Sequence, residues 1–336
     1  MTLSFGMASY SFVFRFPTLC LLACLLCTCG SAQPDDLQAL PQVPGNGEGT
    51  APLHEWPTDK KIRVILDSDT ANEIDDLFAI AHAVPDTSID LLGLSSVQWF
   101  HHLSGPNTAQ QSQVLNEELL TLMGRMDLPH PLGSDMIMGK PWGGYEPRDS
   151  PAARFIIEQA HATPEGEKLA VVSIGAVTNL ASAIALDTTI KDKIVAYMLG
   201  FRYDFDGGFW NKDEFNIRRD LNAANYLLDA EGLELHVMPI SVAIQYTWDR
   251  EPTFAHLEDA RELGGYLRQR WEDHGGPGAS RWTMWDVALL QAFLKPKQAE
   301  EIAVATPPEN TARKVWMYQD IDEAQMESDF WERLTE

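Results

Sequence analysis

From Lys61 onward the apolar positions switch repeatedly between two patterns. Short, almost continuously apolar runs rich in β-branched residues alternate with longer amphipathic ones. KIRVILDSD (61–69), IDLLGLSSV (89–97), LAVVSIG (169–175), KIVAYMLG (193–200) and LHVMPISV (235–242) read as strands. DDLFAIAHAV (75–84), NTAQQSQVLNEELLTLMG (107–124), SPAARFIIEQAHA (150–162), TNLASAIAL (178–186) and LNAANYLLDAEG (221–232) read as helices. The end signals agree with this division. The first helix opens on acids, which suit the positive end of its dipole. Ser150 is an N-cap with Pro151 in the first turn, and Gly232 marks a C-terminus. Strands apolar on both faces and alternating with helices predict an α/β fold, an open, mainly parallel twisted sheet flanked by helices.

Two stretches break the alternation. GGFWNKDEFNIRRD (207–220) reads as a polar loop after the fourth strand. WEDHGGPGASRWTMWD (271–286) carries a Gly/Pro run between tryptophans, which suits a surface loop or a lid.

The first 58 residues follow neither pattern. Arg15 precedes PTLCLLACLLC, an apolar run short for a bilayer span, and small residues follow it. Residues 1–32 read as a signal peptide cut after Ala32, with a lipidated Cys29 as the alternative. The protein is then exported, periplasmic or extracellular, and meets a membrane only if lipidated. All four cysteines (Cys20, Cys24, Cys27, Cys29) lie in this leader, so the mature chain has no internal disulfide framework. Residues 33–58, rich in Pro, Gly and acids, read as a flexible linker, and 59–336 as one domain.

The 336-residue chain holds 49 acidic and 25 basic side chains, a net charge of −24. That excludes a basic nucleic-acid-binding face. The acids are not spread evenly: DSDTANEIDD places Asp67, Asp69, Glu73, Asp75 and Asp76 directly behind an apolar strand. In an open parallel sheet, ligands bind at the carboxyl ends of strands. The turn from strand to helix brings both pairs of aspartates to that rim, where they repel. Oxygen-only donors in this density suit a hard cation, Ca²⁺ or Mg²⁺. Two such acids would be a solvated turn with capping aspartates; five behind a buried strand favour the metal.

DSDTANEIDD resembles the N-terminal acidic signature, DxDxxxDD, of the calcium-dependent nucleoside hydrolases. The resemblance continues in order through VVSIGAVTNLASAI, DEFNIRRDLNAA after MLG, HVMPISV and MWDVALL, spanning roughly residues 61–292. It implies a Ca²⁺ held by Asp69, Asp76, the carbonyl of Ile174 and Asp286, with Asp69 also the general base. Asp75, Glu214 and Asn216 would hold the sugar hydroxyls. Asn211 and Trp210 would join that pocket, and Trp285 would stack on a base. Asp67 would orient the loop from behind the ligands. The implied reaction is hydrolysis of the N-glycosidic bond of a ribonucleoside or related ribosyl compound through an oxocarbenium-like sugar. The implied assembly is a homo-oligomer, a dimer or tetramer.

The chain also departs from the family pattern. Asp69 and Asp75 are two residues further apart than in DxDxxxDD, and the insertion, Asn72 with Glu73, resembles an exported bacterial branch. Gly–Asn after the second strand is replaced by LSSVQWFHH, which offers Gln98, His101 and His102. Trp285, rather than histidine, precedes Asp286. Two other readings compete. A haloacid-dehalogenase-like phosphohydrolase would use Asp67 as nucleophile, but leaves Asp75, Asp76 and DEFN without a role. A non-catalytic module would keep the calcium and sugar pocket without turnover.

Overall fold

The computed structural model describes residues 53–276 and 278–334. The expected signal peptide and the linker up to residue 52 lie outside them. The ordered chain begins β1 (Ile62–Ser68), α1 (Asp75–Ala83), β2 (Ile89–Ser96), α2 (Thr108–Leu122) and α3 (Pro151–Ala162). It continues with β3 (Leu169–Ser173), α4 (Thr178–Leu186), β4 (Ile194–Leu199), β5 (Arg202–Asp204), β6 (Phe209–Asn211), α5 (Phe215–Arg219) and α6 (Leu221–Asp229). Then come β7 (Glu234–Met238), α7 (Ile240–Ala243), β8 (Thr247–Asp249), α8 (Arg250–Leu257), α9 (Arg261–Gly275) and β9 (Arg281–Thr283). The last elements are α10 (Trp285–Leu294), β10 (Ala299–Ala305), β11 (Lys314–Ile321) and α11 (Glu323–Leu334).

Seven strands form one sheet in the order β10-β11-β7-β4-β3-β1-β2. All neighbours are parallel except the β10–β11 pair at one edge. The five strands expected from sequence form its parallel body, and helices cover both faces over two separate apolar cores. β1, β3 and β4 alternate their side chains between those cores: Val64, Leu66, Val172 and Tyr197 enter one, Ile65, Val171, Ala196 and Met198 the other. Burial on both faces explains why these strands read as unbroken apolar runs. β1 leads to β2 on one side and β3 leads to β4 on the other, so the connections leaving the carboxyl ends of these two neighbours diverge. That divergence opens the crevice in which such sheets bind ligands.

Three expectations are corrected. The stretch read as a polar loop, 207–220, folds into the hairpin β5–β6 and helix α5. Gly208 turns the hairpin at φ +68°, its N–H bonding the Asp204 carbonyl at 2.8 Å, and Glu214 caps α5 by accepting from the Ile217 N–H. The strand expected over 235–242 stops at Met238. Pro239 cannot donate to a ladder, and the chain turns helical at Ile240. Residues 53–58 are docked rather than flexible. The His54 N–H donates to Glu234 at 2.7 Å, and the Trp56 indole N–H to the Tyr197 hydroxyl at 2.9 Å. Trp56 also meets Phe293 edge-on, so an aromatic anchor holds a segment that composition alone assigns to linker.

His82 on α1 is buried, stacks on Phe330 at 4.9 Å, and has no hydrogen-bond partner for either ring nitrogen among the described residues. Burial, helped by the nearby Arg333 charge, lowers its pKa from 6.5 to about 3. The unfolded chain therefore takes up a proton below about pH 6.5 that the folded chain refuses. The stability from the neutral ring is full above that pH and is lost progressively as pH falls toward 3. His82→Leu, which fills a similar volume, is expected to flatten this acid limb. In thermal melts at about pH 7 and about pH 4.5, the loss of Tm on acidification should be smaller in the variant. An equal loss would show that His82 does not titrate in this way.

Candidate active site

The carboxyl ends of β1, β3, β4 and β7, with the starts of α1, α5 and α10, surround one open cleft of about 660 Å³, solvent at its mouth included. Asp69, Asn72, Glu73, Asp75, Asp76, Ile174, Glu214, Asn216, Trp285 and Asp286 line it together with Leu199, Arg202, Phe215 and Ile240.

The acidic wall is built by the loop from β1 to α1. β1 ends at Ser68, whose hydroxyl donates to Asp76 Oδ1 at 2.6 Å. The Asn72 N–H bonds the Asp69 carbonyl at 2.8 Å and folds the inserted residues into a turn. Asp75 and Asp76 occupy the first turn of α1, where unpaired N–H groups and the dipole favour negative charge. The Asp286 N–H, at the start of α10, donates to Asp75 Oδ2 at 3.1 Å. Two helix N-termini, α1 and α10, thus carry the same cluster.

Asp67 stands behind this wall, fully buried. Its Oδ1 accepts from the Ser95 hydroxyl at 2.6 Å and the Asn179 amide at 2.9 Å, while its carbonyl accepts from the Ile174 N–H at 2.9 Å. These bonds tie β1 to β2, β3 and α4 just beneath the cleft. The next residue of β3's exit, Gly175, has to be glycine: a Cβ there would lie 2.8 Å from the Asp69 side chain. Asn216 donates to the Ile174 carbonyl at 3.1 Å and so links α5 to the same loop.

Charge is what sets this site apart. Asp69, Asp75, Asp76 and Asp286 are all buried, and ligand oxygens of Asp75, Asp76 and Asp286 lie within 4.8 Å of one another. Burial first, and then the neighbouring carboxylates, push Asp69, Asp75 and Asp286 well above the usual carboxylate range. Burial likewise raises Asp76 to about 7. Asp76 and Asp286 lie close enough to interact directly, so their titrations are linked. Glu73 and Glu214 are also raised, chiefly by burial; the Trp282 indole donates to Glu73 and opposes its shift. No lysine or arginine forms an ion pair with any of these groups among the described residues, and Asp69 Oδ2 is buried with no partner. An all-oxygen, uncompensated, water-poor donor set of this kind fits a hard divalent cation.

Most of the residues singled out from the sequence meet at this cleft, and a few do not. Asp69, Asp76, Ile174, Asp286, Asp75, Glu214, Asn216, Trp285 and Asn72 all reach the cleft. The tightest ligand group includes Asp75, read as a sugar contact, in place of Asp69. Asn211 does not line the cleft: on β6 its side chain accepts from the Asp213 N–H at 2.7 Å. Trp210 is likewise turned away, its indole bonded to the Ala305 carbonyl and its ring packed on Phe201. Gln98, His101 and His102 stay outside as well. Gln98 bonds the Arg219 carbonyl, and His101 packs on Phe215. Trp271 is core, and His274 packs on Trp282. The sequence around Arg202, like that around Arg148 and Arg154, shows no pattern that argues phosphate binding, and Phe215, Leu199 and Ile240 do not stand out either. Arg202 carries a signal only in hindsight, as the residue just after the Leu-Gly-Phe corner that ends β4.

A family model described as "Inosine-uridine preferring nucleoside hydrolase" matches residues 64–328. The chain is 29% identical over 227 residues to a probable uridine nucleosidase 2 of Arabidopsis thaliana, covering 61% of this chain and 67% of that one. It is 24% identical over 239 residues to a probable uridine nucleosidase 2 of Oryza sativa subsp. japonica, covering 64% and 66%. The chain thus spans about two thirds of the length of these relatives. Among solved structures, a plant nucleoside hydrolase superposes with a TM-score of 0.64 at 19% identity, over 82% of this chain and 99% of its own. A purine-preferring ribonucleoside hydrolase from Gardnerella vaginalis superposes with a TM-score of 0.60 at 18% identity, over 81% and 98%. The fold is that of the nucleoside hydrolases.

The repulsion in the cluster yields an expectation of opposite sign with and without metal. In chelator, the variant Asp76→Asn/Asp286→Asn should melt higher than the unaltered protein, because two buried acids are gone. On adding a divalent cation, the unaltered protein should gain about 2.7 kcal/mol at a hundredfold excess over Kd, and the variant should not respond. Equal responses of the two proteins to the cation would place its binding elsewhere.

Proposed function

Because the chain belongs to the inosine-uridine preferring nucleoside hydrolase family, hydrolases of N-glycosyl bonds, we propose that this cleft splits ribonucleosides into ribose and free base with calcium bound to its acidic wall. The observation that carries the reading is the set of four buried aspartates facing one cleft with no cationic partner. Bound there, calcium would supply charge to ionise the aspartates, coordination for two sugar hydroxyls, and a water of lowered pKa.

The side chains then have distinct tasks. Asp69 combines a buried, partnerless carboxylate oxygen with a place on the cleft wall, which suits a general base taking the proton of the attacking water. Asp76, Asp286, Asp69 and the Ile174 carbonyl offer the hard oxygen donors, with Asp75 beside them. Glu214 is held by the backbone N–H groups that open α5, and Asn216 by the Ile174 carbonyl; both are fixed in position to bind sugar hydroxyls. The negative wall favours the oxocarbenium-like sugar over the neutral ground state. Water on the Asp69 face attacks opposite the departing base, so the anomeric carbon inverts. Trp285 adjoins Asp286 and gives the base an aromatic face. No histidine lines the cleft among the described residues, so stacking rather than an imidazole acid attends the leaving base.

We further propose that the protein is exported, its first 32 residues removed or Cys29 lipidated, and that it assembles as a homo-oligomer. The leader pattern supports the first statement, and the family resemblance the second.

The test is reducing-sugar release by the chain from residue 33 onward, with purine and pyrimidine ribonucleosides, in calcium and in chelator. Release in calcium, its loss in chelator, and a fall in kcat of about 10² to 10⁴ in Asp69→Asn are expected. Release indifferent to chelator would remove the metal from the reading, and full activity of Asp69→Asn would remove the base.

A further inference from the structure

The cleft has a second electrostatic feature, at the wall formed after β4. Six carboxylates line it (Asp69, Glu73, Asp75, Asp76, Glu214 and Asp286), against a single guanidinium, that of Arg202. Among the described residues Arg202 makes no ion pair and no side-chain hydrogen bond. Lys212, Arg218, Arg250, Arg281 and Arg333, by contrast, pair with acids elsewhere. The nearest acid along the chain that shares the cleft, Glu214, is already bonded to the Ile217 N–H at 3.1 Å. Arg202 is therefore not a counter-ion of the acidic wall.

Its placement is enforced by the backbone. Gly200 follows β4 and is tied to the Met238 carbonyl at 3.0 Å; a Cβ at Gly200 would meet Ile217 and Glu214. Phe201 next takes φ +65°, a conformation unfavourable for a bulky residue. It is held there by full burial, by the Ile240 N–H on its carbonyl at 2.9 Å, and by Trp210 packed edge-on at 5.0 Å. Arg202 then pairs with Asn211 at the base of the β5–β6 hairpin. The strained corner and the hairpin together deliver an exposed, unpaired guanidinium to the wall that also carries Leu199 and Ile240.

On the proposed function, the anomeric carbon and the ring hydroxyls face the aspartates, and the base lies along an aromatic side chain. The remaining substituent of a ribosyl group is its 5′ oxygen. It is left to meet the rest of the lining, which holds Glu214, Asn216 and Arg202. A planar guanidinium with free N–H groups recognises a phosphate through paired, charge-assisted hydrogen bonds. We propose that Arg202 binds a phosphate on the 5′ oxygen, so that the cleft takes ribonucleoside 5′-monophosphates in preference to the corresponding nucleosides. This inference rests on the hydrolase reading of the same cleft.

The test compares uridine with uridine 5′-monophosphate, and inosine with inosine 5′-monophosphate, in calcium. It uses the chain from residue 33 and the variants Arg202→Gln and Arg202→Lys. The readout is the ratio of kcat/KM for monophosphate to kcat/KM for nucleoside. In the unaltered protein this ratio should exceed one. It should fall about ten- to a hundredfold in Arg202→Gln, and less in Arg202→Lys, which keeps the charge but not the fork. A ratio below one in the unaltered protein, or one that Arg202→Gln leaves alone, overturns the inference while the hydrolase reading stands. That second result would leave the guanidinium as a partner of the base instead. If no compound is cleaved, the thermal shift with ribose 5-phosphate against ribose decides. A shift specific to the phosphate and lost in Arg202→Gln upholds the inference as the hydrolase reading falls, and its absence overturns both.

Discussion

The structure is organised around a repulsion. Four aspartates are buried around the carboxyl end of β1, with oxygens of three of them within 4.8 Å of one another, and no lysine or arginine among the described residues forms an ion pair with them. A carboxylate moved into such surroundings either finds a positive partner or keeps its proton. Without a cation, burial and mutual repulsion push all four toward the second course. The helix dipoles of α1 and α10 help, but each is worth at most about 2 kcal/mol and falls off within a turn. They bias the site toward negative charge without being able to satisfy four of them.

Much of the surrounding framework can be read as what is needed to hold that arrangement. The sheet supplies the place, since the chain diverges on either side of β1 and leaves its carboxyl end uncovered. Asp67 supplies rigidity. Its bonds to Ser95 and Asn179 and its carbonyl's bond to Ile174 lock three strands in register directly under the cluster. Gly175 supplies clearance for Asp69. Each is a modest interaction alone, yet loss of any one allows the aspartates to relax apart, and a pocket preorganised for a cation would become an ordinary solvated turn.

How much of this was legible in the sequence follows from the range of the forces involved. The five parallel strands and the helices between them announce themselves because burial on both faces writes a local pattern. The acidic rim is legible for the same reason: its members sit in one ten-residue stretch. What the sequence misassigned depends on partners far along the chain. The segment 207–220 looks polar, but Trp210 and Phe201 bury against each other across the hairpin, and that contact turns Asn211 away from the cleft. Asp75 enters the tight ligand group because the N–H of Asp286, 211 residues later, pins it there. Trp56 sits in a composition typical of linker and is nonetheless an anchor, since its hydrogen-bond partner lies on β4. Arg202 stands out only in hindsight; its position is set by a corner whose strain is invisible without backbone angles.

The two charged walls of the cleft are not independent. While the acids hold protons or lack a cation, the field over the cleft is at best neutral to slightly negative, and an anionic group would gain little by entering. A divalent ion on the acidic wall would offset part of the carboxylate charge that it ionises, so that the guanidinium of Arg202 would act against a smaller net negative charge than that of six free carboxylates. A ligand whose oxygens reach the cation must therefore bind more tightly once the cation is in place. By linkage it must raise the affinity of the cation by the same factor. Substrate and cation would thus each recruit the other. On this view the metal's part in the proposed reaction begins before any bond is broken, because it strengthens the hold of the cleft on the substrate.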